Sequence, residues 1–71
     1  MANWITSVGE KINLLREENG LTQEDLADAA GISASFLGLI ERGKRTPSVT
    51  TLLKIARILN ITLNDLFLDK I

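Results

Sequence analysis

Residues 23–42 read QEDLADAAGISASFLGLIER, and this stretch decides the fold. Small or apolar residues fall where two short helices joined at Gly31 must touch: Leu26, Ala27, Ala30, Ile32, Leu37 and Ile40. Ala27 is small where the second helix crosses close by. Gly31 has no Cβ to resist the left-handed backbone of a short turn. This spacing predicts a helix-turn-helix, the unit that lays its second helix in the major groove of DNA.

The same local device recurs outward from this stretch. An apolar residue precedes a Ser or Thr cap, and a second apolar residue follows four places after the cap: Leu21-Thr22 with Leu26, Ile32-Ser33 with Leu37, Ile61-Thr62 with Leu66. Each hydroxyl can accept an orphan helix N–H while the apolar pair sets the angle at which the chain enters. Asp25 and Asp65 stand where the reciprocal capping carboxylate belongs. Pro47-Ser48 starts another helix, and Ser7 with Glu10 reads as a capping box for the first. The pattern predicts five helices, at 7–18, 23–30, 34–42, 49–59 and 63–67, with no strand. Gly20 and Asn60 mark left-handed stops after the first and fourth.

Apolar spacing predicts the packing. Val8, Ile12 and Leu15 form the inner face of the first helix, leaving Glu10, Lys11, Asn13 and Glu17 toward water. In the fourth, Val49, Leu52, Ile55, Ala56 and Leu59 share one stripe, which Leu53 and Ile58 widen to about 220°. That exceeds what one core requires and suggests a second surface to cover. Leu63, Leu66 and Phe67 are assigned to the monomer core, and Trp4 to a lid over its edge.

Composition excludes several classes. The 71 residues make one domain, and 45% hydrophobic content is enough for a packed interior. A core this small supplies only about 3–5 kcal/mol, so a partner subunit would be a useful stabiliser. With neither Cys nor His, disulfides, a zinc site, thiol nucleophiles and the commonest catalytic base are missing. No cofactor and no metal is expected, and an enzyme is disfavoured. Apolar runs are far too short to span a membrane and no signal peptide opens the chain, so a cytoplasmic protein is the expectation. The net charge of −1 argues at first against a nucleic acid partner. Its distribution argues for one. Residues 17–41 hold Glu17, Glu18, Glu24, Asp25, Asp28 and Glu41 and no base; residues 42–64 hold Arg42, Lys44, Arg45, Lys54 and Arg57 and no acid. One basic edge can face phosphate while the acidic flank faces away.

In the third helix, Leu37 and Ile40 point inward. Ser35, Gly38, Leu39 and Arg42 point the other way, with Ala34 at the leading edge. The hydroxyls of Ser33 and Ser35 can bond several bases, whereas Ala34 and Leu39 can only touch thymine methyls. A helix-interior glycine costs about 1 kcal/mol against alanine, so Gly38 on an exposed face reads as clearance for close approach to the DNA backbone. Arg42, Lys44 and Arg45 leave this helix where they can straddle phosphate.

Over residues 7–67 the chain resembles the Cro and phage-repressor type, or Xre-like, helix-turn-helix regulators. The motifs that carry the resemblance are Val8-Gly9-Glu10-Lys11-Ile12 with Leu15-Arg16, Gly20-Leu21-Thr22-Gln23-Glu24-Asp25-Leu26-Ala27 and Ala30-Gly31-Ile32-Ser33. They continue with Ile40-Glu41-Arg42-Gly43, Pro47-Ser48, LLKIA at 52–56 and Leu63-Asn64-Asp65-Leu66-Phe67. The resemblance implies an all-α five-helix repressor-type DNA-binding domain, acting as a homodimer on a palindromic operator in double-stranded DNA. It implies base reading from Ala34, Ser35 and Leu39, positions often long and polar in relatives. It also implies a phosphate contact from Gln23, at a helix end whose N–H groups suit an anion. Thr22 is expected to cap, with its backbone sharing that contact. Arg16 and Glu41 match positions that commonly form a buried salt bridge.

The surplus apolar residues, Leu53, Ile58, Leu68 and Ile71, are the expected dimer interface. A protein-interaction module is the rival reading, because this fold can lose DNA binding and keep its dimer face. Gln23 and the Arg42-Lys44-Arg45 cluster favour DNA. An antitoxin that also binds a toxin partner remains a subclass of the same reading.

Overall fold

A left-handed residue, an apolar residue and a Ser or Thr hydroxyl make three of the helix joints: Gly20-Leu21-Thr22, Gly31-Ile32-Ser33 and Asn60-Ile61-Thr62. The computed structural model describes residues 4–67, and these form five helices and no strand. They are α1 (Trp4–Glu18), α2 (Gln23–Ala30), α3 (Ala34–Glu41), α4 (Val49–Ile58) and α5 (Leu63–Phe67).

At each of those joints the apolar residue's N–H reaches back to close the preceding helix. Leu21 donates to the Arg16 carbonyl (3.1 Å), Ile32 to Ala27 (2.9 Å) and Ile61 to Ala56 (2.9 Å). The residue that needs the unusual backbone is Gly31 (φ 72°) at the α2–α3 turn and, without glycine's freedom, Asn60 (φ 61°) after α4. The next hydroxyl then opens the following helix. Thr22 Oγ1 accepts from the Asp25 N–H (3.0 Å), Ser33 Oγ from Phe36 (3.0 Å) and Thr62 Oγ1 from Asp65 (3.1 Å). Asp25 and Asp65 return the bond to the cap backbone, completing two capping boxes. Ser48 caps α4 through the Thr51 N–H (3.1 Å).

The first helix departs from its expected start. It already runs at Trp4, so Ser7 lies inside α1 and caps nothing. Tertiary packing overrides the local signal: α1 lies against α3 and α5, and Thr6 fits against Gly43 in the turn after α3. Gly9 is buried where α1 crosses α3, and a Cβ there would strike the Ile40 carbonyl oxygen.

The core is one cluster: Val8, Ile12, Leu26, Ala27, Ala30, Leu37, Ile40, Leu52, Ile55, Ala56, Leu59 and Leu66. Two residues differ from expectation. Val49 is 65% exposed because it sits in the first turn of α4, before the helix reaches the core. Phe67 is exposed, its ring paired with Trp4 (centroids 5.4 Å apart) on the surface between α1 and α5. Leu15 and Leu63 are half-buried and pack against the core, as expected of inner-face residues. Leu53 is exposed, while Ile58 is half-buried and packs against the core, so part of α4's surplus is absorbed within the monomer. Leu68 and Ile71 lie outside the described residues.

Candidate nucleic-acid interface

α2 packs across α3 and α4, and α3 is backed by α1, so α3 keeps one face to solvent. Ser35 is exposed on it, and Leu39 is half-buried. Ala34 is half-buried and packs against the core with part of its surface remaining. Ser33 is exposed; its oxygen accepts from Phe36, which leaves its hydroxyl proton to donate.

Gly38 is buried, contrary to its expected place on an exposed face. The side chains of Gln23 and Arg42 cover it. Arg42 Nη1 lies 3.4 Å, and the Gln23 amide atoms 3.6 and 3.7 Å, from where a Gly38 Cβ would stand. Those are ordinary contact distances, so alanine would also fit. The sequence shows a small residue on the outer face but not that two long side chains fold over it.

Beneath that cover lies a charged network joining three helices. Arg16 Nε donates to Glu41 Oε2 (2.8 Å) and its Nη2 to Oε1 (3.3 Å), while Nη1 donates to the Leu21 carbonyl (2.8 Å). Oε1 also accepts from Asn13 Nδ2 and Gln23 Nε2, both at 2.9 Å. Burial raises the Glu41 pKa, but hydrogen bonds from Arg16, Gln23 and Asn13 outweigh it and hold the carboxyl below its ordinary value. The Glu41 hydrogen bond raises the Arg16 pKa against the opposing effect of burial. Among the described residues no buried side-chain nitrogen or oxygen lacks a partner. Asn13, expected toward water, is instead half-buried and part of this network.

At the start of α2 the capping box commits both cap groups. The Thr22 N–H donates to Asp25 Oδ2 (2.9 Å), so the backbone expected to share an anion contact is already engaged. The Thr22 backbone and side-chain hydrogen bonds lower the Asp25 pKa. Glu24 and Asp25 both sit in this first turn and offset the positive helix end, making it a weaker anion site than an uncharged turn would be. More therefore rests on the cations after α3. Arg42 occupies its C-cap, and Lys44 and Arg45 follow. All three are exposed, and none has a carboxylate partner among the described residues. Arg45 lies over the Phe36 ring, 5.6 Å from its centroid. Phe36 is a platform that sequence reading missed, because only the turn at Gly43 brings Arg45 back over α3.

The helix-turn-helix family HTH_3 matches residues 12–66. The chain belongs to this family. It is 47% identical over 58 residues to YazB, an uncharacterized HTH-type transcriptional regulator of Bacillus subtilis, covering 82% of this chain and 84% of YazB. The restriction-modification controller protein C.AhdI of Aeromonas hydrophila superposes with a TM-score of 0.84 at 38% identity, over 89% of this chain and 96% of C.AhdI. The biofilm regulator SinR of Bacillus subtilis, in a crystal structure with DNA, gives a TM-score of 0.78 at 33% identity over 83% and 95%. The all-α, five-helix expectation and the Xre-like resemblance hold. The chain is a helix-turn-helix transcriptional regulator, of a family of DNA-binding proteins and not of enzymes. Among the described residues no helix is long and apolar enough to cross a membrane.

Proposed function

We propose that this chain is a sequence-specific double-stranded DNA-binding regulator, a repressor or autoregulator acting as a homodimer on a palindromic operator. One observation carries the reading: three exposed cations without carboxylate partners among the described residues, Arg42, Lys44 and Arg45, follow directly on the solvent face of α3. They are the phosphate contacts, with Gln23 adding to them from α2, while Thr22, its N–H and hydroxyl both engaged by Asp25, is left to its capping role. Gly38 contributes as the floor beneath Gln23 and Arg42. Ser33, Ala34, Ser35 and Leu39 meet the bases, the serines through hydroxyls and the other two through methyl contacts with thymine. SinR, similar throughout this region, is a regulator captured on DNA, which supports the duplex as partner. Repression needs only occupancy of a promoter.

The dimer rests on Leu53 and Ile58 with Leu68 and Ile71. A two-fold axis sets two copies of α3 about 34 Å apart, one turn of duplex. Selection from a random duplex library at stated salt tests the whole reading. The expected product is an inverted repeat with half-sites about 10 base pairs apart. Recovery of unenriched sequence, bound no better than bulk DNA, overturns it.

A further inference from the structure

We infer that Asn13 is a positioning residue for DNA binding: by holding the carboxylate of Glu41, it presents the side-chain amide of Gln23 to phosphate. The inference rests on reading Gln23 as a phosphate contact. Glu41 Oε1 accepts three donors, Asn13 Nδ2 and Gln23 Nε2 at 2.9 Å and Arg16 Nη2 at 3.3 Å. The Arg16 bond is the longest. An arginine facing a carboxylate favours two parallel bonds of similar length, and Arg16 already holds Oε2 at 2.8 Å. Left to Arg16 alone, Glu41 would turn to shorten the long bond, carrying Oε1 away from Gln23. Asn13 pulls on that oxygen from α1 and keeps it where Gln23 reaches it.

The consequence for Gln23 is a fixed amide. One Nε2 hydrogen is committed to Glu41, which leaves the second as the donor for an anion. Both amide atoms also lie over Gly38, 3.6 and 3.7 Å from where its Cβ would stand, so Gln23 is held by packing as well as by its hydrogen bond. A side chain already ordered loses little freedom when it binds, and each one that must be ordered weakens affinity by about 2–13-fold. Asn13 belongs to α1, bonds the same Glu41 oxygen as Gln23, and is not itself read as a DNA contact.

The experiment compares Asn13→Leu, Gln23→Leu, the double variant and Lys44→Ala, each bound at stated salt, well below its melting temperature, to the duplex selected from the random library. Asn13→Leu is expected to weaken binding about 3–10-fold. Placed in the Gln23→Leu background, it should weaken binding by less than about 2-fold, because the amide it positions is gone. Loss of stability alone would leave affinity per folded molecule unchanged. Wild-type affinity in Asn13→Leu, or its full effect persisting without Gln23, overturns the inference. Should Asn13→Leu fail to fold, the side-chain amide of Gln23 in Asn13→Ser is followed by NMR. Increased mobility there supports the inference, and wild-type rigidity overturns it. Lys44→Ala and Gln23→Leu separate the two levels. Weakened binding in Lys44→Ala and Gln23→Leu with no effect at Asn13 rejects only the positioning role, while unchanged binding in Gln23→Leu rejects the phosphate contact and this role with it.

Discussion

Glu41 carries more of this domain than its single charge suggests. It is buried, receives donors from α1 and α2, and depends on Arg16 for its only ionic partner among the described residues. Removing that partner strands a buried carboxylate, so Arg16→Met is expected to cost about 3–5 kcal/mol of stability in denaturant titration. DNA affinity per folded molecule should change far less. The pH dependence follows from the depressed Glu41 pKa. A lowered folded-state pKa contributes stability that is fully present above the unfolded value of about 4.3 and lost as pH falls through the folded one. Asp25 titrates with the same sign. Glu41→Gln should therefore lose stability less steeply than wild type below about pH 4, with Asp25 supplying the slope that remains. Gly9 is a second residue of this kind, because a methyl there collides with backbone that cannot rotate away. Gly9→Ala is expected to destabilise by about 1–3 kcal/mol, read from the same titrations. Neither Asn13 nor Gly9 was legible as such in the sequence. Both act where α1 crosses α3, and a crossing is fixed by contacts between residues far apart in the chain. Arg16 and Glu41 entered only through family resemblance.

At the scale of the helices, local chemistry was readable wherever it was sufficient. Caps at Thr22, Ser33, Ser48 and Thr62 and stops at Gly20, Gly31 and Asn60 depend on neighbours a few residues away, and they stand where the pattern put them. The Ser7–Glu10 box failed because α1 gains more from lying along α3 and α5 than from beginning on a hydroxyl. Gly38 shows the same division. Its cost to α3 was visible, but its cover by Gln23 and Arg42 was not. Since a Cβ fits beneath them, Gly38→Ala should stabilise α3 by up to about 1 kcal/mol, measured by thermal or denaturant unfolding. Destabilisation would mean that the two covering side chains cannot share that space with a methyl.

For the whole molecule, the separation of charge was legible because it is a property of sequence order. Acids dominate from Glu17 to Glu41 and bases from Arg42 to Arg57. A dimer that neutralises about 6 phosphates is expected to show a slope near −5 in log affinity against log salt. Lys44→Ala should flatten that slope by about one unit for each phosphate left without its lysine, and weaken all duplexes alike. The proposed dimer surface was only half legible, since Ile58 is half-buried with part of its side chain against the core, while Leu53 remains exposed. Sedimentation at micromolar concentration should find wild type as a dimer and Leu53→Glu as a monomer. A wild-type monomer, or an undiminished Leu53→Glu dimer, removes α4 from the interface.

The three-residue joints bear on who adapts to whom. Each residue of Gly31-Ile32-Ser33 serves both helices or the bend between them, the isoleucine closing α2 and the serine opening α3, so no slack residue is left to act as a hinge. With α2 and α3 locked at one angle, the distance from Gln23 to the basic turn after α3 is set before any duplex arrives. On the proposed docking edge, the protein is then expected to work as a fixed-width gauge. A duplex whose groove already has the right width, or whose base steps yield cheaply, fits the gauge. A stiff duplex of the wrong width is refused mechanically, even at base pairs that no side chain touches.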